Sequence, residues 1–319
     1  MEKIKELIKA YAAKYFFPIL NRHYKKTNHY LNDFYDVRKF WGEQAFQVHI
    51  QRNLEVVNLG SNHPKFAFSY NDFGIKGDNW AVGPQTLEYD FKILRKYHSF
   101  LAPDATVIIP ICLFKMFLYR QKPRYFHYKY YTFLSPVDIV GYSLDEMDVH
   151  INRPLYYNWR LSKCIFHDVP PYTLLDLIEN PLNNENALNA DAQSWVDCWN
   201  KEFDIDIDHI ELSESNKADI EKNIEILSSI IDFCLERNYH PVIALLPITD
   251  YLMKRLPSDF CNKYYINFIN KANKRNVPIL NYLTDSRFTS PDFFINSFFM
   301  NKRGRTVFTK QILKDLELI

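Results

Sequence analysis

Four short apolar runs stand out along the chain: Leu54 to Leu59, Thr106 to Cys112, Pro241 to Leu246 and Val277 to Tyr282. Near-continuous apolar runs of this length predict strands buried on both faces of a parallel sheet. Between them the apolar spacing is helical. Leu87, Phe91, Leu94 and Leu101 recur through Gln85 to Leu101 with charges between them, as a crossover helix requires. Ser213 predicts an N-cap, and Ile220, Ile224, Leu227, Ile231 and Leu235 line one face of the helix that follows, ending near Asn238. Leu256 to Asn273 leads into the fourth strand. Gly304 to Leu316 closes the chain with Val307, Ile312, Leu313 and Leu316 as its inner face. This order predicts an α/β fold: a three-layer, doubly wound parallel sheet with helices on both faces.

The rhythm fails between Leu113 and Ile210, where Tyr, Phe, Pro and Asn dominate. We read an N-terminal helical segment at 1–50 and an α/β domain at 51–319, interrupted at about 113–210 by an aromatic-rich insertion or cap. Phe114 to Phe133 holds nine Phe or Tyr and five Lys or Arg with no acid. Such a surface suits sugar stacking or anionic head groups, and the plainer alternative is aromatic packing with cationic tips in water.

Composition narrows the function classes. A formal net charge of +1 removes the bulk electrostatic reason to expect a nucleic-acid binder. Five scattered cysteines without paired spacing predict reduced thiols in a reducing, cytoplasmic compartment. No Cys-x-x-Cys or His-x-x-x-His occurs, so no metal is expected. There is also no Gly-x-Gly-x-x-Gly and no phosphate-binding Gly-Lys-Ser or Gly-Lys-Thr, which argues against a nucleotide-sugar enzyme, and no cofactor is expected. Lysines at 3, 5, 9 and 14 interrupt the apolar start, so residues 1–20 read as neither signal peptide nor spanning helix. Ile4, Leu7, Ile8, Tyr11, Ala12, Tyr15 and Phe16 do share helical spacing. That pattern fits a peripheral helix on the inner face of an anionic membrane, or a helix packed on its own domain.

Ligands of open α/β sheets bind beyond the carboxyl ends of the strands. The first strand ends Asn58-Leu59-Gly60-Ser61-Asn62-His63, where glycine permits a sharp turn that lifts the Ser61 hydroxyl to the top of the sheet. Four of only seven glycines, Gly60, Gly74, Gly77 and Gly83, fall in this one region, as they would if backbone approached a ligand, or simply as a set of turns.

These residues resemble the SGNH hydrolase superfamily, the GDSL esterases and lipases. Gly60-Ser61-Asn62 is similar to its first block, which places the nucleophile. The closest likeness is to a bacterial branch associated with surface-polysaccharide loci, whose strand ends Asn-Leu-Gly-Ser, then Ser or Asn, then His. Asn79-Trp80-Ala81, Gln85 and Tyr89-Asp90 look like the second block, and Val107 to Ile111 like the third. Leu245-Leu246-Pro247 with Tyr251, and then Phe294 to Thr309, continue it. The resemblance implies an SGNH- or flavodoxin-like fold, Ser61 as nucleophile, and an oxyanion site and pocket around Gly60, Asn62, Asn79 and Gly83.

The last block departs from the pattern. The family's Asp-x-x-His supplies the base and its orienting carboxylate; here Asn296 stands at the acid position and Phe299 at the histidine position. No histidine follows His240, and the third-block asparagine has no counterpart near Cys112. His63, Asp285 and Asp292 are candidates for a relocated base. Two functions stay open. One is a carbohydrate O-acyl esterase or acyltransferase in surface-polysaccharide metabolism, with Ser61 as nucleophile, His63 as substitute base, and amides around Ser61 and Gly83 as oxyanion donors. The other is an inactive relative that binds an acylated glycan or a partner.

Overall fold

The computed structural model describes residues 4, 7, 11–27, 29–30, 46, 50–117, 128–167, 180–209 and 212–319. The chain forms two compact units, one of residues 1–49 and 121–173 and the other of 50–120 and 174–319.

In the first unit, helix α1 (Phe17–Tyr24) packs on the helical turns at Pro154–Tyr157 and Lys163–Phe166. Tyr24, Tyr30, Leu155 and Cys164 form its small core. The buried Asn21 side chain accepts the Leu155 amide at 3.0 Å, fixing the register between these segments. No helix among the described residues is long and apolar enough to cross a membrane.

The second unit is built on five parallel strands: β1 (Leu54–Asn58), β2 (Gly77–Asn79), β3 (Leu101–Pro110), β4 (His240–Leu245) and β5 (Ile279–Asn281). Their order is β2-β1-β3-β4-β5, the doubly wound, flavodoxin-like arrangement. Pairing of Val56 with Thr106, Ile108 with Val242 and Ala244 with Leu280 puts Val56, Ile108 and Ala244 on one face. There they meet Phe308, Ile312 and Leu313 of α7 (Lys302–Asp315), while Ala67, the last residue of α2 (Asn62–Ala67), joins the same core. Val57, Val107, Ile109 and Ile243 alternate to the other face. Of α3 (Leu87–Tyr97), α4 (Glu185–Phe203), α5 (Glu214–Leu235) and α6 (Asn267–Ala272), the long α5 packs on α3, α6 and β4.

The expected caps form where the side chains allow. Ser213 accepts the Asn216 amide at 3.1 Å to start α5, and Thr86 and Asn301 cap α3 and α7 in the same way. Several expectations need correction. β2 was not foreseen, because Gly77-Asp78-Asn79 is a polar edge strand without an apolar run. Leu101 pairs with Leu54 and opens β3 rather than ending α3. Val307 is 40% exposed, since Gly304, Arg305, Phe308 and Thr309 set the buried face of α7. Phe114 and Phe117 are not a sugar-stacking surface: Phe114 is buried among Trp199, Phe203 and Phe260, and Phe117 against Phe114 and Phe203. Tyr130, Tyr131 and Phe133 are buried in the first unit, and 118–127 lie outside the described residues.

Candidate active site

At the end of β1 the chain turns at Gly60, whose φ of +124° is a conformation that side chains disfavour. A Cβ there would lie 2.3 Å from Pro64 Cγ, so the turn needs glycine twice over. Ser61 follows in extended conformation as the N-cap of α2. It makes no side-chain cap to its own helix; instead its Oγ accepts the Gln85 amide at 3.0 Å. The half-buried hydroxyl thus faces the segment between β2 and α3.

That segment is held by a buried ion pair. Lys115 Nζ lies 2.9 Å from Asp90 Oδ2, with side chains 3% and 1% exposed. The other Asp90 oxygen accepts the Gly60 amide at 3.0 Å and a short bond from Gln85 Nε2. Gln85 Nε2 also donates to the Gly60 carbonyl, and Lys115 donates to the Gln85 carbonyl at 2.7 Å. Asp90 and Lys115 therefore position both the serine turn and the amide that meets it. The sequence offered one clue to Asp90: an acid on the same helical face as Leu87 and Leu94, where an uncompensated charge would be costly. Lys115, 25 positions on from it, gave none.

Asn79 is consumed by the framework. Its oxygen accepts from Asn58 Nδ2 at 2.8 Å and from the Ala81 amide, while its NH2 group donates to the Pro64, Lys65 and Phe68 carbonyls at the end of α2. Asn62 leans on Gly83, where a Cβ would sit 1.5 Å from Asn62 Oδ1.

His63 is buried and turned away from water. Its Nε2 donates to the Pro247 carbonyl at 3.2 Å, so Nδ1 carries the lone pair, and that atom is buried with no hydrogen-bond partner among the described residues. Burial pushes its pKa down to about 3, against a smaller opposing effect of the Pro247 bond. Asp285 is engaged by Arg287, whose guanidinium holds the carboxyl below its usual range, and Asp292 is exposed.

The last block folds over α2. Asn296 Oδ1 accepts the Phe298 and Phe299 amides at 3.0 and 2.7 Å. Phe299 stacks on Phe66 of α2 with centroids 4.7 Å apart, and Phe298 lies against His63 at 4.3 Å. Trp195 of α4 meets both phenyl rings edge-on. Asp191 of α4, not foreseen from the sequence, accepts the Ser297 amide at 2.9 Å and its hydroxyl, and Thr249 donates to the Ser297 carbonyl. The residues flanking α2 on this side are thus aromatic and fixed.

His63 makes the fold acid-sensitive. Its folded pKa lies below the unfolded value near 6.5, so between that value and about 3 the unfolded chain binds the extra proton. Stability is intact above the window and declines as pH falls through it, by at most about 1.4 kcal/mol per pH unit. Urea midpoints of the wild type and His63→Phe, compared from neutral pH downward, are expected to diverge below about pH 6.5, the wild type losing more. Parallel curves would mean that the imidazole is hydrated.

No family model matches the chain, and no curated protein matches it. Among solved structures, it aligns with a Bacteroides fragilis NCTC 9343 protein described as a "putative acylhydrolase", at 10% identity over 85% of this chain and 92% of that one. The TM-score of that alignment is 0.36.

Proposed function

We propose that this chain is an SGNH-hydrolase-like α/β protein that binds an acylated carbohydrate at the Ser61 turn without hydrolysing it. The observation that carries this reading is that, among the described residues, neither position 299 nor His63 supplies an effective base. A serine hydroxyl needs a proton acceptor to become a nucleophile. Phe299, at the position the resemblance assigns to histidine, is stacked on Phe66. His63 holds its one basic nitrogen in an apolar environment that opposes protonation. Gly60, Ser61, Asn62 and Gly83 would meet the ligand, and the Asp90–Lys115 pair keeps them in place.

A second reading is favoured by one specific contact. The Gln85 amide donates to Ser61 Oγ, and a donor aimed at that oxygen would stabilise it as it loses its proton. In that case the protein is a carbohydrate O-acyl esterase or acyltransferase with a slow, unassisted serine.

Titration of the isotopically labelled protein with an O-acetylated oligosaccharide separates the two. Binding is expected to be saturable, with amide shifts centred on Ser61, Asn62 and Gly83, at most a small loss of affinity in Ser61→Ala and no acetate released. Acetate release abolished by Ser61→Ala would overturn the proposal in favour of the esterase.

A further inference from the structure

The inner face of α1 is packed, but the helical turn that leads into it, Ala12–Phe16, and the outer side of α1 carry exposed apolar side chains. Tyr15, Phe16 and Ile19 are 50–60% exposed, and Tyr11, just before them, is 67% exposed. On the segments against which α1 packs, Trp159 and Phe166 are 69% and 77% exposed. Large exposed aromatic and aliphatic side chains grouped in one small unit mark an interaction surface rather than ordinary solvent-facing residues.

The charge around them is one-sided. Residues 11–32 carry Lys14, Arg22, Lys25 and Lys26 and no Asp or Glu, and 149–167 carry Arg153, Arg160 and Lys163, again with no acid. Of these, Arg153 is neutralised by Asp148. The described acids of this unit, Asp138, Asp145, Glu146 and Asp148, all fall in 138–148. A second copy of the chain would present the same cations to this face, so symmetric pairing brings like charges together. An apolar face bordered by Lys and Arg, with Trp and Tyr among its exposed rings, matches the chemistry of a bilayer interface with anionic head groups.

We infer that the first unit docks on an anionic membrane surface, with Tyr15, Phe16, Ile19, Trp159 and Phe166 entering the interface and Lys14, Arg22, Lys26, Arg160 and Lys163 meeting lipid phosphates. The contact is peripheral and draws attraction from both sources, so added salt weakens it without abolishing the apolar part. It is independent of the reading of the Ser61 site.

Sedimentation of the full chain with vesicles of phosphatidylcholine, alone or mixed with phosphatidylglycerol, tests it. Binding is expected to be much tighter to the mixed vesicles than to phosphatidylcholine alone, to decline with salt, and to weaken roughly tenfold or more in Lys14→Glu/Arg22→Glu and in Ile19→Glu/Phe166→Glu. The substituted side chains are exposed, and circular dichroism checks that each variant is folded. Equal binding to both vesicle types, no binding to either, or unchanged binding by folded variants overturns the inference. So does a dimer, seen by sedimentation velocity, that Ile19→Glu dissociates while vesicles remain unbound; that outcome assigns the face to self-association.

Discussion

Asp90→Ala is expected to lower the free energy of unfolding by about 3–5 kcal/mol, among the largest effects of any single substitution in the second unit. The alanine variant leaves the Lys115 ammonium, 3% exposed, without its counter-charge, and strips the Gly60 amide and the Gln85 side chain of their acceptor. Lys115→Met leaves a buried carboxylate, but one that still accepts from Gly60 and Gln85, so a smaller loss is expected. In Asp90→Ala/Lys115→Met no charge remains buried, and the total loss is expected to fall below the sum of the two single losses. Urea denaturation of the four proteins measures this directly. Additive losses would mean that the two side chains are hydrated and do not form the pair.

The second large effect is a gain. Asn296→Asp/Phe299→His is expected to raise hydrolysis of a short acyl ester about 10²–10⁴-fold over the wild type, the usual contribution of a positioned base, and Ser61→Ala is expected to abolish the gain. Asn296 already accepts two backbone amides through Oδ1, and aspartate can keep both bonds while its second oxygen becomes available to an imidazole. The substitution at 299 exchanges one planar ring for another beside Phe66, with some loss of aromatic packing against Trp195. A folded double variant with no activity would show that position 299 does not correspond to the superfamily's base, and the resemblance in the last block would then be one of sequence only.

The parts of this molecule that were legible in the sequence are those fixed by local pattern. β1, β3 and β4 lie within or overlap apolar runs because strands buried on both faces tolerate few polar residues, and Ser213 announced its helix because a hydroxyl there satisfies a free amide. β5 falls within the fourth apolar run but is an edge strand with Ile279 and Asn281 exposed, not the buried strand that the run predicts. β2 carries no such signature, as an edge strand of three polar residues is stabilised by backbone pairing with β1. The stretch around Phe114 leaves two readings open in the sequence for a related reason. Aromatic and basic residues side by side look alike whether they face a ligand or fill a core, and only distant partners such as Trp199, Phe203 and Asp90 decide which. At the candidate site, the serine turn could be read from motif order. The environment of His63 could not, because its burial depends on Pro247 and Phe298, far along the chain.

All of this turns on whether the Ser61 oxygen is activated in the wild type. Incubation with a fluorophosphonate, followed by intact-mass measurement, addresses that point with no assumption about the natural ligand. Wild type and Ser61→Ala are each expected to keep their own unmodified mass, with Asn296→Asp/Phe299→His gaining one adduct. A stoichiometric adduct on wild-type Ser61 would contradict the account and establish an active serine enzyme in its place.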